Sequence, residues 1–181
     1  MPLIQTRIGG RRTSARFRVE RPREGRTSHS ISRVHQLDEH SCGFLAALMV
    51  FRYFDPTVST RDALAALLPS PQRGCSQREV IRALAQFGIR ARYRERLGWA
   101  RLQGLAKAGC PVIITIHPDG WLCDHWTVVR GLRDRSRRIL LSNPAPRGHE
   151  YEGLAQDGSM SWSDFNGIWS PRGAGLVCES R

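Results

Sequence analysis

The sequence predicts an α+β domain, on three observations. Apolar residues recur at helical spacing from Cys42 to about Lys107; a β-branched run, Val112-Ile113-Ile114-Thr115-Ile116, then opens a stretch of strand-like segments; and polar turns separate those segments, which makes the strands antiparallel. A length of 181 residues suits one domain of roughly 140–150 residues plus a tail.

The first helix begins at or next to Cys42, where Phe44, Leu45, Leu48, Met49 and Tyr53 follow at three- and four-residue spacings, and it ends before Asp55-Pro56. Two capping boxes come next. Ser59-x-x-Asp62 precedes Ala63-Leu64-Leu67-Leu68, and Ser76-x-x-Glu79 precedes Val80-Ile81-Leu84-Phe87, a helix that Gly88 stops. Residues 90–94 read as a short edge strand, and residues 99–107 as a further helix ended by Gly109 and Pro111. After the 112–116 strand, Asp119-Gly120 signals a hairpin turn. Trp126-Thr127-Val128-Val129 and Ile139-Leu140-Leu141 are two more strands, with a polar turn over 133–137. A short helix starts at Ser161 ahead of Trp162 and Phe165, and Leu176-Val177-Cys178 adds a last strand.

Charge is unevenly placed. The net charge is +12, and of 28 basic residues only Lys107 is a lysine. Residues 1–35 carry nine arginines against Glu20 and Glu24, a net +7. Residues 1–30 are rich in Arg, Ser, Thr, Gly and Pro without an apolar period, so they read as a flexible basic arm ahead of a domain over 31–181. Such an arm offers a binding surface for an acidic partner or nucleic acid. An arginine-for-lysine skew also arises from a GC-rich genome, which weakens any argument from charge alone.

No stretch approaches the ~20 apolar residues of a membrane span, and none near Met1 forms a secretory apolar segment. Five cysteines (42, 75, 110, 123, 178) are odd in number and lack a C-x-x-C pair, which argues against a disulfide framework or zinc ribbon. Cys110, His117, Cys123 and His125 match no standard zinc spacing either, and no cofactor is implied. These features predict a cytoplasmic protein, or one exported by a non-Sec route.

Chemistry concentrates in Gln36-x5-Cys42-Gly43, then Asp124-His125-Trp126, then Ser142-Asn143-Pro144. A helix start stabilises a thiolate, so Cys42 is the candidate nucleophile. His125 begins one strand and Asn143 ends the next, with Asp134 midway. A hairpin therefore sets them opposite one another, where an amide oxygen can hold one imidazole nitrogen while the other faces Cys42. Gln36, six residues before Cys42, is the candidate side-chain donor to an oxyanion, beside the Cys42 backbone N–H. His40 shares the Cys42 loop, has no orienting partner and reads as a loop histidine. Cys75, Cys110, Cys123, Cys178 and the five tryptophans (99, 121, 126, 162, 169) read as packing in or near the core, with Trp126 also shielding the site from water.

This order resembles the papain-like, clan CA cysteine peptidases, and within them the bacteriocin-processing peptidases that remove double-glycine leader peptides. Matching features run from about His35 to Trp169: Gln36 with Cys42-Gly43, Gly74-Cys75-Ser76, Gly109-Cys110-Pro111-Val112-Ile113, His125-Trp126 with Val128-Val129, Asn143-Pro144, and Met160-Ser161-Trp162-x2-Phe165-x3-Trp169. The resemblance implies a papain-like fold, in which a helical N-terminal part carrying the nucleophile packs on a C-terminal antiparallel sheet. It implies hydrolysis of a peptide or isopeptide bond in a peptide or protein substrate through Cys42, His125 and Asn143. That group usually has Asp where Asn143 stands and is usually fused to a membrane transporter; Asn suits the general papain pattern. The same thioester chemistry serves a protein deamidase or transamidase, and an inactive peptidase fold that binds through its arm is the reading from another class. Gly9-Gly10 in the arm raises self-processing as an expectation.

Overall fold

The structure, a computed structural model, describes residues 40–144 and 158–180 together with 26–28, 31, 34, 38, 154 and 155. Helix α1 spans Cys42–Phe54 and is buried without interruption from Gly43 to Phe51. A helix apolar all round belongs inside a molecule, and Phe51 stacks on Phe87 with ring centroids 4.3 Å apart. It stops at Asp55, whose backbone is extended (φ −140°, ψ 99°) because Pro56 disfavours a helical residue before it.

Both capping sequences act as read. The Ser59 side chain accepts from the Asp62 N–H ahead of α2, Thr60–Ala66. Ser76 and Glu79 form a reciprocal box ahead of α3, Gln77–Gln86, and Gly88 ends that helix at φ +71°. Helix α2 is shorter than its apolar pattern suggested, so that Ala63 and Leu67 are buried while Leu68 is 78% exposed and Leu64 is at the surface.

Seven strands form one sheet among the described residues. They are β1 (Arg26–Ser28), β2 (Ile89–Arg94), β3 (Val112–Ile116), β4 (His125–Arg133), β5 (Arg138–Ser142), β6 (Ser159–Ser161) and β7 (Gly175–Ser180). The order is β2-β7-β3-β4-β5-β6, every pair is antiparallel, and β1 also pairs with β4. Helix α4 (Trp99–Lys107) precedes β3, and α5 (Trp162–Ile168) lies between β6 and β7. Two strands were not foreseen. β6 is three residues long, and β1 lies inside the stretch read as a basic arm, its Arg26 in register with Arg133 of β4. The remainder of that arm, with Gly9-Gly10, lies outside the described residues.

Strand alternation divides the core in two. Ile113, Val128, Leu176 and Cys178 face α1 and α3. Val112, Ile114, Val129 and Val177 face the other way, onto Leu102 and Leu105 of α4 and Phe165 of α5. Helices α1 and α3 thus sit on one face of the sheet and α4 and α5 on the other, and the start of α1 meets the start of β4.

Candidate active site

Cys42 is the first residue of α1. The turn that delivers it is held by Asp38, whose Oδ1 accepts from the backbone N–H groups of His40 and Ser41, both at 2.7 Å. Burial raises the Asp38 carboxyl, but these hydrogen bonds outweigh it and hold the group below its ordinary value. The first turn of α1 itself carries no acidic residue, so the negative charge nearest the helix start along the chain is that of Asp38, before the cap. The backbone N–H of Trp126, the residue after His125, also comes up to Cys42 and favours its thiolate. That contact ties the nucleophile helix to the strand carrying the imidazole.

His125 is buried at the start of β4, and its Nε2 lies 2.7 Å from Oδ1 of Asn143, just past β5. An amide oxygen only accepts, so Nε2 carries the proton and Nδ1 keeps a lone pair. The hairpin achieves this less directly than its midpoint suggested. Val128 pairs with Ser142, and a bulge between Val129 and Gly131 shifts the register. Continuing that register, Asn143 faces Thr127, and His125 sits diagonally, two residues further along. Diagonal neighbours lie about 7–8 Å apart in backbone terms, a gap that an imidazole and an amide together close.

Burial governs the charges. It pushes the Cys42 thiol up, against the opposing hydrogen bonds from the backbone of Trp126 and Gly43. It lowers the His125 imidazole to about 4, against the opposing bond to Asn143. The substrate-free site therefore favours a neutral thiol and a neutral imidazole.

That depressed imidazole sets a stability profile. Between pH 6.5 and about 4 the unfolded chain binds a proton at this histidine and the folded chain does not. The contribution is complete above pH 6.5 and is lost as pH falls through about 4, a loss of ~3 kcal/mol. Urea titrations at pH 7 and pH 4 should show a stability drop smaller by that amount in His125→Gln than in the parent; equal drops would refute it.

Other expectations fare unevenly. Gln36 lies outside the described residues. His40 is half-buried in the loop before α1, with its backbone N–H held by Asp38. Cys75 and Cys178 are buried as expected, Cys110 is half-buried, and Cys123 is exposed, so the expectation that it packs near the core is corrected. Cys123 falls in the loop between β3 and β4, which runs past the site and has no inner face to bury it. Among the described residues no three His, Cys, Asp or Glu side chains come together as metal ligands. Of the tryptophans, Trp169 is buried and the others are half-buried.

Two features of the site escaped sequence reading. The Trp121 ring meets His125 edge-on at 5.0 Å, alongside the shielding role foreseen for Trp126. Its loop is clasped by a 3.0 Å contact from His117 Nδ1 to Asp124 Oδ1. A cleft of about 240 Å³ opens beside Trp126 and Asp124, bounded by Gln77, Thr115 and Tyr93.

A family model described as the Peptidase C39 family matches residues 30–179. No curated protein matches the chain. Among solved structures, it is similar to a double glycine motif protease from an AMS/PCAT transporter in complex with the leader peptide, at 19% identity and TM-score 0.64 over 85% of this chain and 94% of that one. It is also similar to the peptidase domain of Streptococcus ComA, a bi-functional ABC transporter, at 17% identity and TM-score 0.63 over 83% and 99%. A C39-like peptidase from Bacillus anthracis gives 14% and 0.61 over 86% and 98%. At these identities the likeness shows the fold. Among the described residues no helix is long and apolar enough to cross a membrane.

Proposed function

Because the chain belongs to the Peptidase C39 family, and is a cysteine peptidase of papain-like fold, we propose that it cleaves a peptide bond through Cys42, His125 and Asn143, acting on a leader-bearing peptide or protein. The observation that carries this reading is the 2.7 Å contact between buried His125 and Asn143, on a strand whose next residue comes up to Cys42.

His125 Nδ1 takes the Cys42 thiol proton as the sulfur attacks the scissile carbonyl carbon, and a C–S bond forms. The oxyanion is met by the Cys42 backbone N–H, with Gln36 as the side-chain donor its sequence position suggests. When the tetrahedral adduct collapses, the C–N bond breaks and the imidazolium gives its proton to the leaving amine. Water, deprotonated by His125, then attacks the thioester; the C–S bond breaks, the acid product leaves, and the imidazolium returns a proton to Cys42. Asn143 keeps Nε2 protonated and the ring aimed throughout.

Support for a leader-type substrate comes from the similar double glycine motif protease, which was seen with its leader peptide. The direct test is mass spectrometry of a synthetic leader peptide incubated with the protein, beside a copy with both glycines replaced by valine. Cleavage after the glycine pair in the first peptide alone is the expected result. Cleavage of both would overturn the leader reading, and cleavage of neither would move the substrate to another class of peptide.

A further inference from the structure

Strand β2 is the outermost strand of the sheet, paired with β7 on one side and with no other strand among the described residues. Its outer row of backbone N–H and C=O groups is thus a template for another strand. Arg90, Arg92 and Arg94 occupy alternate positions along it, so their side chains leave one face of the sheet, and all three are exposed. Strand rise spaces them about 6.6–6.8 Å apart.

Carboxylates lie near this row but form no close ion pair with it among the described residues. Across the pairing, Arg90 faces Glu179, Arg92 faces Val177 and Arg94 faces Gly175. Glu95 follows the strand. Among the described residues, neither glutamate comes within 4 Å of the three guanidinium groups, since the ion pairs are Arg73–Glu79 and His117–Asp124. Neighbouring like charges in the row lie inside one Debye length of about 10 Å and repel one another. One charge is enough to blunt an edge; a regular row of three on one face has the spacing of a strand's own side chains.

We propose that β2 is a docking edge for an extended acidic segment of another protein, one with Asp or Glu at every second position. Such a segment adds as a further strand. Its backbone pairs with the open row of β2, and its alternate carboxylates fall opposite Arg90, Arg92 and Arg94, where guanidinium groups accept them in forked geometry. A nucleic-acid strand would meet the charges but leave the backbone row unpaired. The inference rests on the β2 edge and its arginines alone, so it does not depend on the proposed catalysis.

The test uses the full chain with a labelled peptide alternating glutamate and valine, a second peptide of the same composition with its glutamates contiguous, and a single-stranded oligonucleotide of equal charge. Any contribution from the arginines of residues 1–30 is common to all three. The alternating peptide should bind at least about tenfold tighter than the contiguous one and slow amide hydrogen exchange across residues 89–94. Arg92→Glu, an exposed change, should weaken it by about tenfold, and the milder Arg92→Gln by less. Equal affinity for the two peptides, exchange in 89–94 unaltered, or equal protection by the oligonucleotide would each overturn the proposal.

Discussion

Replacing Cys42 by alanine is expected to lower peptide hydrolysis by about 10⁴-fold or more, replacing His125 by alanine to do the same, and the double replacement to cost little beyond either alone. Groups that act as one unit lose their effect together, so single and double losses converge. In the proposed chemistry the reason for that coupling is the state of the thiol. Burial raises the Cys42 thiol, so the sulfur is a poor nucleophile until the neutral imidazole takes its proton.

A labelling pattern among the five thiols is expected on the same grounds. Burial pushes Cys75 up to about 11 and Cys178 higher still. Both are buried, whereas exposed Cys123 is open to any small alkylator. An epoxysuccinyl papain inhibitor should therefore modify Cys42 preferentially in the parent and lose that preference in His125→Ala, with Cys123 unchanged as the internal reference. Equal labelling of Cys42 in the two proteins, or of Cys75 and Cys42 in the parent, would remove the case for a coupled pair.

How much of this was legible in the sequence follows from which forces are local. Caps are local, so Ser59, Ser76 and Ser161 each marked a helix start that the structure keeps. Periodicity located α1, α4 and β3 because burial on one or both faces repeats within a few residues. Strands β1 and β6, of three residues each, are too short to show a period, and they exist because a neighbouring strand offers them hydrogen bonds. Leu68 lies beyond the end of α2 at Ala66, and Leu64 lies within that helix but at the surface beside buried Ala63, so the apolar pattern overstates the core there.

The candidate site was readable in identity and less so in geometry. Residue types and order pointed to Cys42, His125 and Asn143 without any coordinates. The bulge between Val129 and Gly131 changes the register that the turn alone would set, so the diagonal meeting of His125 and Asn143 depends on a feature invisible to hairpin arithmetic. Trp121 was missed for a related reason: its contact with His125 is made by a loop, where no period assigns a side chain a direction.

Gly43→Ala tests how tightly the fold and the chemistry are joined. A Cβ at Gly43 would lie 2.9 Å from the Cys75 Cβ and 3.2 and 3.3 Å from Cδ1 and Nε1 of Trp126. The Cys75 Cβ is one bond from its backbone and cannot swing aside, so α1 or the Trp126 ring must move. Overpacking of this kind costs about 1–3 kcal/mol, against about 1 kcal/mol that alanine gains over glycine within a helix. Helix α1 also carries Cys42, the proposed nucleophile, and a misplacement of about 1 Å lowers a rate by about 10²-fold. Gly104→Ala is the matched control, since it lies in α4, is exposed and meets nothing within 4 Å. Urea midpoints should fall for Gly43→Ala and rise slightly for Gly104→Ala, with the rate loss confined to the first. If Gly43→Ala keeps both its midpoint and its rate, the start of α1 is not gripped between Cys75 and Trp126, and the coupling of the helix to the His125 strand does not set the position of the nucleophile.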